Sequence, residues 1–197
     1  MTAKEMKIKT FSLIEEYYPD KTGLAEDEDV KNKINGIINQ IQMDLMTYRK
    51  INAVREIEID ETDDKEINLK NRIDDLYQIK TIRFDNTISY EMPDESTIIL
   101  PDDFVGSFKV YYYKYPELMK LTFDTGALAD AYDRKYEFEI DNMLLEIMPY
   151  GVAKDLLKMD MISNYGKYFQ EEYIMRKNQL DGRLSNGQII IEGGYDV

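Results

Sequence analysis

The chain has 197 residues, 39 of them acidic and 25 basic, for a formal charge of −14. It has no cysteine and no histidine. That excludes disulfides, thiolate metal sites, cysteine nucleophiles and a Ser-His-Asp triad, and removes the usual base near neutral pH, which points away from enzymes although carboxylate chemistry survives. Hydrophobic residues make up 43%, enough for one domain with a real core. The acidic surface repels nucleic-acid phosphate and anionic membrane.

The first residues, Met1-Thr2-Ala3-Lys4-Glu5-Met6-Lys7, are charged and lack the apolar region of a signal peptide. No run approaches the ~18 apolar residues that cross a bilayer, so the expectation is synthesis and folding in a cytoplasm. Thr2-Ala3-Lys4-Glu5 fits a capping box. A helix follows to about Tyr17, and the segment Pro19-Asp20-Lys21-Thr22-Gly23 ends it. A second helix is expected from Asp27 to Asn52, roughly 40 Å long. Its apolar stripe is Val30, Ile34, Ile37, Ile38, Ile41, Leu45 and Tyr48. Acids crowd its start and Arg49 and Lys50 close its end, as the helix dipole favours. Gly36 in its middle is either a close-packing point or merely tolerated.

The middle of the chain is β-rich. Val54 to Ile59 alternates cleanly, and Asp60 to Glu66 reads as an acidic loop. Ile79 to Phe84 reads as a strand that turns at Asp85-Asn86 into Thr87–Met92, a hairpin. Ile98-Ile99-Leu100 is a short strand, and Pro101-Asp102-Asp103 turns the chain into a long strand, Ser107 to Tyr115, stopped by Pro116. On that strand Phe108, Val110 and Tyr112 point one way, and Tyr111, Tyr113 and Tyr115 the other. Neither face is plainly polar. Either a flanking loop covers the second face, or another protein does, since tyrosine offers large contact area at low entropic cost. Together these segments predict an antiparallel meander.

Leu118 to Ala131 is ambiguous, with a helical turn at Leu128–Ala131. From Ile140 to Ile162 the chain is apolar nearly all round, the mark of a buried helix. Pro149 inside it predicts a kink or two abutting helices. A last helix runs from about Asn164 to Leu180, with Tyr165, Phe169 and Tyr173 on one face. Met143, Met148, Met159, Met161 and Met175 read as core filler. The tail carries Ile189, Ile190 and Ile191 between glycine-rich turns, which either fold back as an edge strand or extend onto a partner. The acidic clusters lack the spacing of a calcium loop, and the basic residues are scattered, so no nucleic-acid patch emerges. No catalytic, cofactor-binding or metal residue is assigned. The candidate interface residues are Tyr111, Tyr113, Tyr115, Ile189, Ile190 and Ile191.

The fold class that follows is α+β: a mainly helical bundle, with long helices in the N- and C-terminal thirds (1–53 and 140–181), an inserted antiparallel β meander or sandwich (54–116) and an extended tail (182–197), in a single domain. Two passages carry a family likeness. One is Leu100-Pro101-Asp102-Asp103-Phe104 running into Val110-Tyr111-Tyr112 and Tyr115-Pro116. The other is Phe138-Glu139-Ile140-Asp141, then Leu144 to Leu157, then Asp160 and Tyr168. In this order the chain resembles the head-to-tail connector (adaptor) proteins of tailed bacteriophages, and the likeness spans the chain in its sequence of elements. Its β insertion is larger than a minimal adaptor needs. The resemblance implies a structural virion protein at the head–tail junction that forms a ring, commonly of twelve copies. The ring docks on the portal, extends the DNA channel and presents a platform to the next neck or tail component. Double-stranded DNA would pass an acidic bore without specific binding. Two other readings stand beside this one: a carboxylate-based hydrolase, and a partner-binding module that forms no ring.

Overall fold

Helix α1 (Ala3–Tyr17) begins at a complete capping box. The Thr2 hydroxyl accepts from the Glu5 N–H at 3.2 Å, and the Glu5 carboxylate accepts from the Thr2 N–H at 2.8 Å. The computed structural model describes residues 1–20, 23–123, 125–158 and 165–185. Helix α2 (Glu28–Met46) is capped by the Asp27 carboxylate, which accepts from the N–H groups of Asp29 and Val30. It stops about a turn and a half before the expected Asn52, so its 19 residues span about 28 Å. The apolar period alone could not show this stop. Thr47 turns its hydroxyl back onto the Asp44 carbonyl, and Ile51 and Asn52 leave the helix to pair with Lys114 and Tyr113 in a sheet.

The stripe of α2 (Ile34, Ile37, Ile38, Ile41, Leu45) is buried against α4 (Asn142–Lys158) and α5 (Tyr165–Ser185). Helix α4 is buried nearly all round and runs through Pro149 as one helix, not two abutting ones. The proline denies the Leu145 carbonyl its donor at a cost of about 3 kcal/mol, which burial of Leu144, Met148, Val152 and Leu156 offsets. Gly151 sits where side chains of α2 and α5 press on α4: a Cβ there would sit 2.7 Å from the Tyr173 ring and 2.9 Å from Ile41. Gly36 has no such neighbour, its nearest atom being a Leu121 methyl at 3.9 Å, so it is tolerated and not required. Helix α5 runs to Ser185, into the stretch expected as tail. The Ile189–Ile191 triplet lies outside the described residues, as do Met159 and Met161. Met148 is core, but Met175 is 46% exposed on α5, where core filler was expected.

Between the sheet and the short helix α3 (Gly126–Asp133) the chain passes as an extended strap along α2. Three amides on one line of that helix hold it. Asn39 both donates to the Met119 carbonyl (2.9 Å) and accepts from the Met119 N–H (2.8 Å). Gln42 donates to the Glu117 carbonyl and Asn35 to the Lys120 carbonyl. The Tyr136 hydroxyl also donates to the Glu117 carbonyl. These groups answer for backbone that has no ladder of its own.

The strands are β1 (Ile51–Ile59), β2 (Glu66–Asn68), β3 (Leu76–Phe84), β4 (Thr97–Ile99) and β5 (Gly106–Lys114). All pairings are antiparallel, which with the helices gives the expected α+β class. Their order differs from a meander: β5 lies between β1 and β3, and β2 pairs with β4 in a separate ribbon. The hairpin expected at Asp85-Asn86 is absent. Residues 87–92 contribute one bridge, Glu91 to Ile99, while β3 sets Phe84, Ile82 and Ile79 opposite Phe108, Val110 and Tyr112. That register buries an apolar set against the Phe104 and Phe108 rings, whereas Thr87–Met92 brings Ile88 to this cluster and sets the half-exposed Tyr90 ring against Phe84. The sheet thus has its own core, distinct from that of the helices. Lys114 and Glu139, and the Glu117 N–H on the same carboxylate at 2.9 Å, tie the two together. Among the described residues no helix is long and apolar enough to cross a membrane.

Candidate functional site

Alternation along β5 sends Phe108, Val110 and Tyr112 into the β core and leaves Tyr111 and Tyr113 half-buried on the outer face. The inner side is anchored. The Tyr112 hydroxyl donates to the Asp75 carboxylate at 2.8 Å, and burial together with that bond pushes the phenol up to about 12. The next residues leave the ladder. The Tyr115 N–H donates to the Asp75 carbonyl (2.7 Å), and its ring meets Tyr77 edge-on with centroids 5.1 Å apart.

Cations from two separate stretches of chain, Lys50 before β1 and Lys80 and Arg83 on β3, stand over the rings of the outer face. Lys50, just before β1, places its ammonium 4.8 Å from the Tyr113 ring centre and 5.5 Å from that of Tyr77, and donates to the Gln78 amide oxygen at 2.6 Å. Lys80 reaches Tyr113 from β3 at 5.0 Å and donates to the Asn52 amide oxygen at 2.8 Å. A register shift between Ile79 and Thr81 makes this possible, because it inserts Lys80 as an extra residue in β3. Arg83 lies over Tyr111 at 5.1 Å. Lys109 stands between Arg83 and Glu56 in the register, and the Glu56 carboxylate accepts from the Ser107 hydroxyl. Each exposed cation–ring contact is worth about 0.5–1 kcal/mol. Val54, paired with Tyr111, is 55% exposed beside them. The result is an uncovered aromatic face with cations along it, Lys50 and Lys80 at the end nearer the helices and Arg83 and Lys109 further out, on a chain whose net charge is −14.

A groove of about 740 Å³ adjoins it, lined among others by Lys50, Asn52, Tyr113, Arg49 and Asp141. There Arg49 pairs with Asp141 at 2.8 Å, and its Nε is buried without a partner. A second crevice, about 720 Å³, opens between α1, α2 and α3. It contains two buried acceptors without donors, Asn35 Oδ1 and Asp133 Oδ1. Asp133 is the one buried carboxylate among the described residues, and it faces Lys7 at 2.6 Å, not a second acid. Among the described residues no group of three or more acids could hold a metal ion.

Of the residues singled out from sequence, Tyr111 and Tyr113 come together on this face, and Tyr115 flanks it through Tyr77. Ile189, Ile190 and Ile191 lie outside the described residues. The cations were missed. Basic residues that look scattered along the chain converge only through the β1-β5-β3 register. Comparison with protein-family models and with curated proteins found no match for the chain.

Proposed function

We propose that this protein is a structural virion component, a head-to-tail adaptor that assembles as a ring on the portal, extends the DNA channel and offers a platform to the next neck or tail component. The observation that carries the reading is the uncovered tyrosine–cation face of the sheet. Rigid aromatic rings with charged rims are what protein interfaces use. The element order, with helices on either side of a β insertion, fits the same reading. The acidity then has a role: carboxylates facing a bore repel phosphate and keep DNA mobile.

Electron microscopy of virions, and of the protein mixed with its portal, tests this directly. The expected image is a closed ring of this chain beneath the portal, commonly twelvefold. Particles that lack the chain, or single copies bound without rotational symmetry, would refute the proposal.

A further inference from the structure

We propose that the tyrosine–cation face of one copy receives the acidic end of the β module of a second copy. This rests on the ring reading above and names the two surfaces that mate.

The β module is polar along its length. One end of the sheet carries Lys50 and Lys80 on Tyr113, and Arg83, paired with Lys109 further along, lies over Tyr111 and extends the cationic face towards the middle of the sheet. At the other end lie the β1–β2 turn, with Asp60, Glu61 and Asp64 exposed, and the β4–β5 turn, with Asp102 and Asp103 exposed. The Leu100 N–H donates to the Lys65 carbonyl at 2.9 Å, which sets these two turns side by side. Among the described residues none of these five carboxylates forms an ion pair, and neither do Lys50, Lys80 or Arg83. Arg72 and Lys65 serve Asp63 and the Asp60 carbonyl in the acidic turn, which leaves these five carboxylates in excess there, as Lys50, Lys80 and Arg83 are in excess on the face. The Tyr113 row and the Gly106 row of β5 are separated by about 23 Å at strand rise, too far for Lys50 and Lys80 to reach the acidic turns of their own molecule.

Two molecules can join them. Because the two surfaces differ, the contact is head-to-tail, the kind that repeats around a ring. An acidic polypeptide is a better occupant than nucleic acid, because the chain as a whole repels phosphate. Two copies also repel each other through their net charge. At physiological ionic strength the Debye length of about 8 Å screens that long-range term more than it does ion pairs in contact.

The test is charge reversal read by sedimentation velocity over a range of protein concentrations at physiological ionic strength. Lys80→Glu with Arg83→Glu reverses the face, taking the net charge from −14 to −18; Asp64→Lys with Asp102→Lys reverses the acidic end, taking it to −10. All four residues are exposed. Each variant alone is expected to self-associate roughly tenfold more weakly than wild type or worse. The quadruple variant, again at −14, is expected to recover association, which a misfolded protein would not do. An equimolar mixture of the two paired variants is expected to recover association as alternating copies, because the reversed face of one meets the reversed end of the other and the two native surfaces still match.

The proposal is overturned if wild type stays monomeric throughout, or if the quadruple variant fails to associate. It is overturned too if the −10 variant associates more tightly than wild type, which would make net charge the governing quantity. Saturable binding of a labelled single-stranded oligonucleotide, lost on reversing the face, would assign the surface to nucleic acid instead. Rings at the portal that form regardless of these substitutions would remove this contact and leave the adaptor reading standing. Charge-dependent association in solution by a chain absent from virions would do the reverse.

Discussion

Replacing Asn39 by alanine removes both rungs that hold Met119 to α2. The Met119 residue is 2% exposed, so its N–H and carbonyl lose their partners without gaining water. Each unpaired buried group costs about 1–3 kcal/mol, and alanine returns about 0.5 kcal/mol of helix propensity. The expected loss is therefore about 2–5 kcal/mol. Asn35→Ala is the control on the same helix. It breaks one bond, to the carbonyl of the exposed Lys120, and deletes an acceptor that already lacks a donor. Its expected cost is below about 1 kcal/mol. Urea unfolding followed by circular dichroism reads both, with the slope checked for constancy. Equal midpoints for the two variants, or a larger shift for Asn35→Ala, would refute the amide-strap account.

The two helix glycines should respond with opposite signs in thermal melts: Gly151→Ala loses about 1–3 kcal/mol by overpacking against Tyr173 and Ile41, while Gly36→Ala gains up to about 1 kcal/mol. Tyr173→Phe removes the hydroxyl that donates to Asp44 at 2.7 Å beside Lys177 at 2.6 Å. At neutral pH this should cost about 1–2 kcal/mol, reduced because Asp44 is partly exposed. Burial alone would raise the Asp44 carboxyl, but bonds from Lys177 and Tyr173 outweigh it and hold the group below its ordinary 3.8. The contribution of that cluster is present above 3.8 and fades as pH falls through the lower folded value, so the Tyr173→Phe penalty measured by urea unfolding should shrink in acid. Asp94 accepts from the Ser96 and Thr97 N–H groups and hydroxyls, which lower its carboxyl from 3.8 to about 2. Its carboxyl carbon should titrate near pH 2 by NMR, and the order it gives the turn before β4 should be lost between pH 3.8 and about 2.

Local signals were legible wherever a few adjacent residues decide the outcome. Thr2 and Glu5 mark the start of α1, strict alternation from Phe108 to Tyr113 sorts the faces of β5, and the all-round apolar run marks α4. What could not be read depends on partners distant in sequence. Thr87–Met92 looked like the natural mate of β3, but the ladder goes to β5, which sets Phe84, Ile82 and Ile79 opposite Phe108, Val110 and Tyr112, and no local pattern carries that preference. The stripe of α2 continues to Tyr48, while the helix stops because Ile51 has a strand to join. The tyrosine half of the site was visible, since three rings at period two are a local pattern. The cationic half was not, because Lys50, Lys80 and Arg83 meet only after the strands pair and a register shift turns Lys80 outward. One missed signal was available: Asn35, Asn39 and Gln42 recur at helical spacing inside an apolar stripe, where amides need a reason to be.

Placing β5 between β1 and β3 also has a consequence during translation. Both outer strands leave the ribosome before the strand that joins them, and α1 and α2 emerge long before α4 closes over them. For much of synthesis the nascent chain therefore exposes Ile57, Ile59 and the face of α2 with nothing to pair with. Its dense negative charge keeps such half-made molecules apart until the final third arrives.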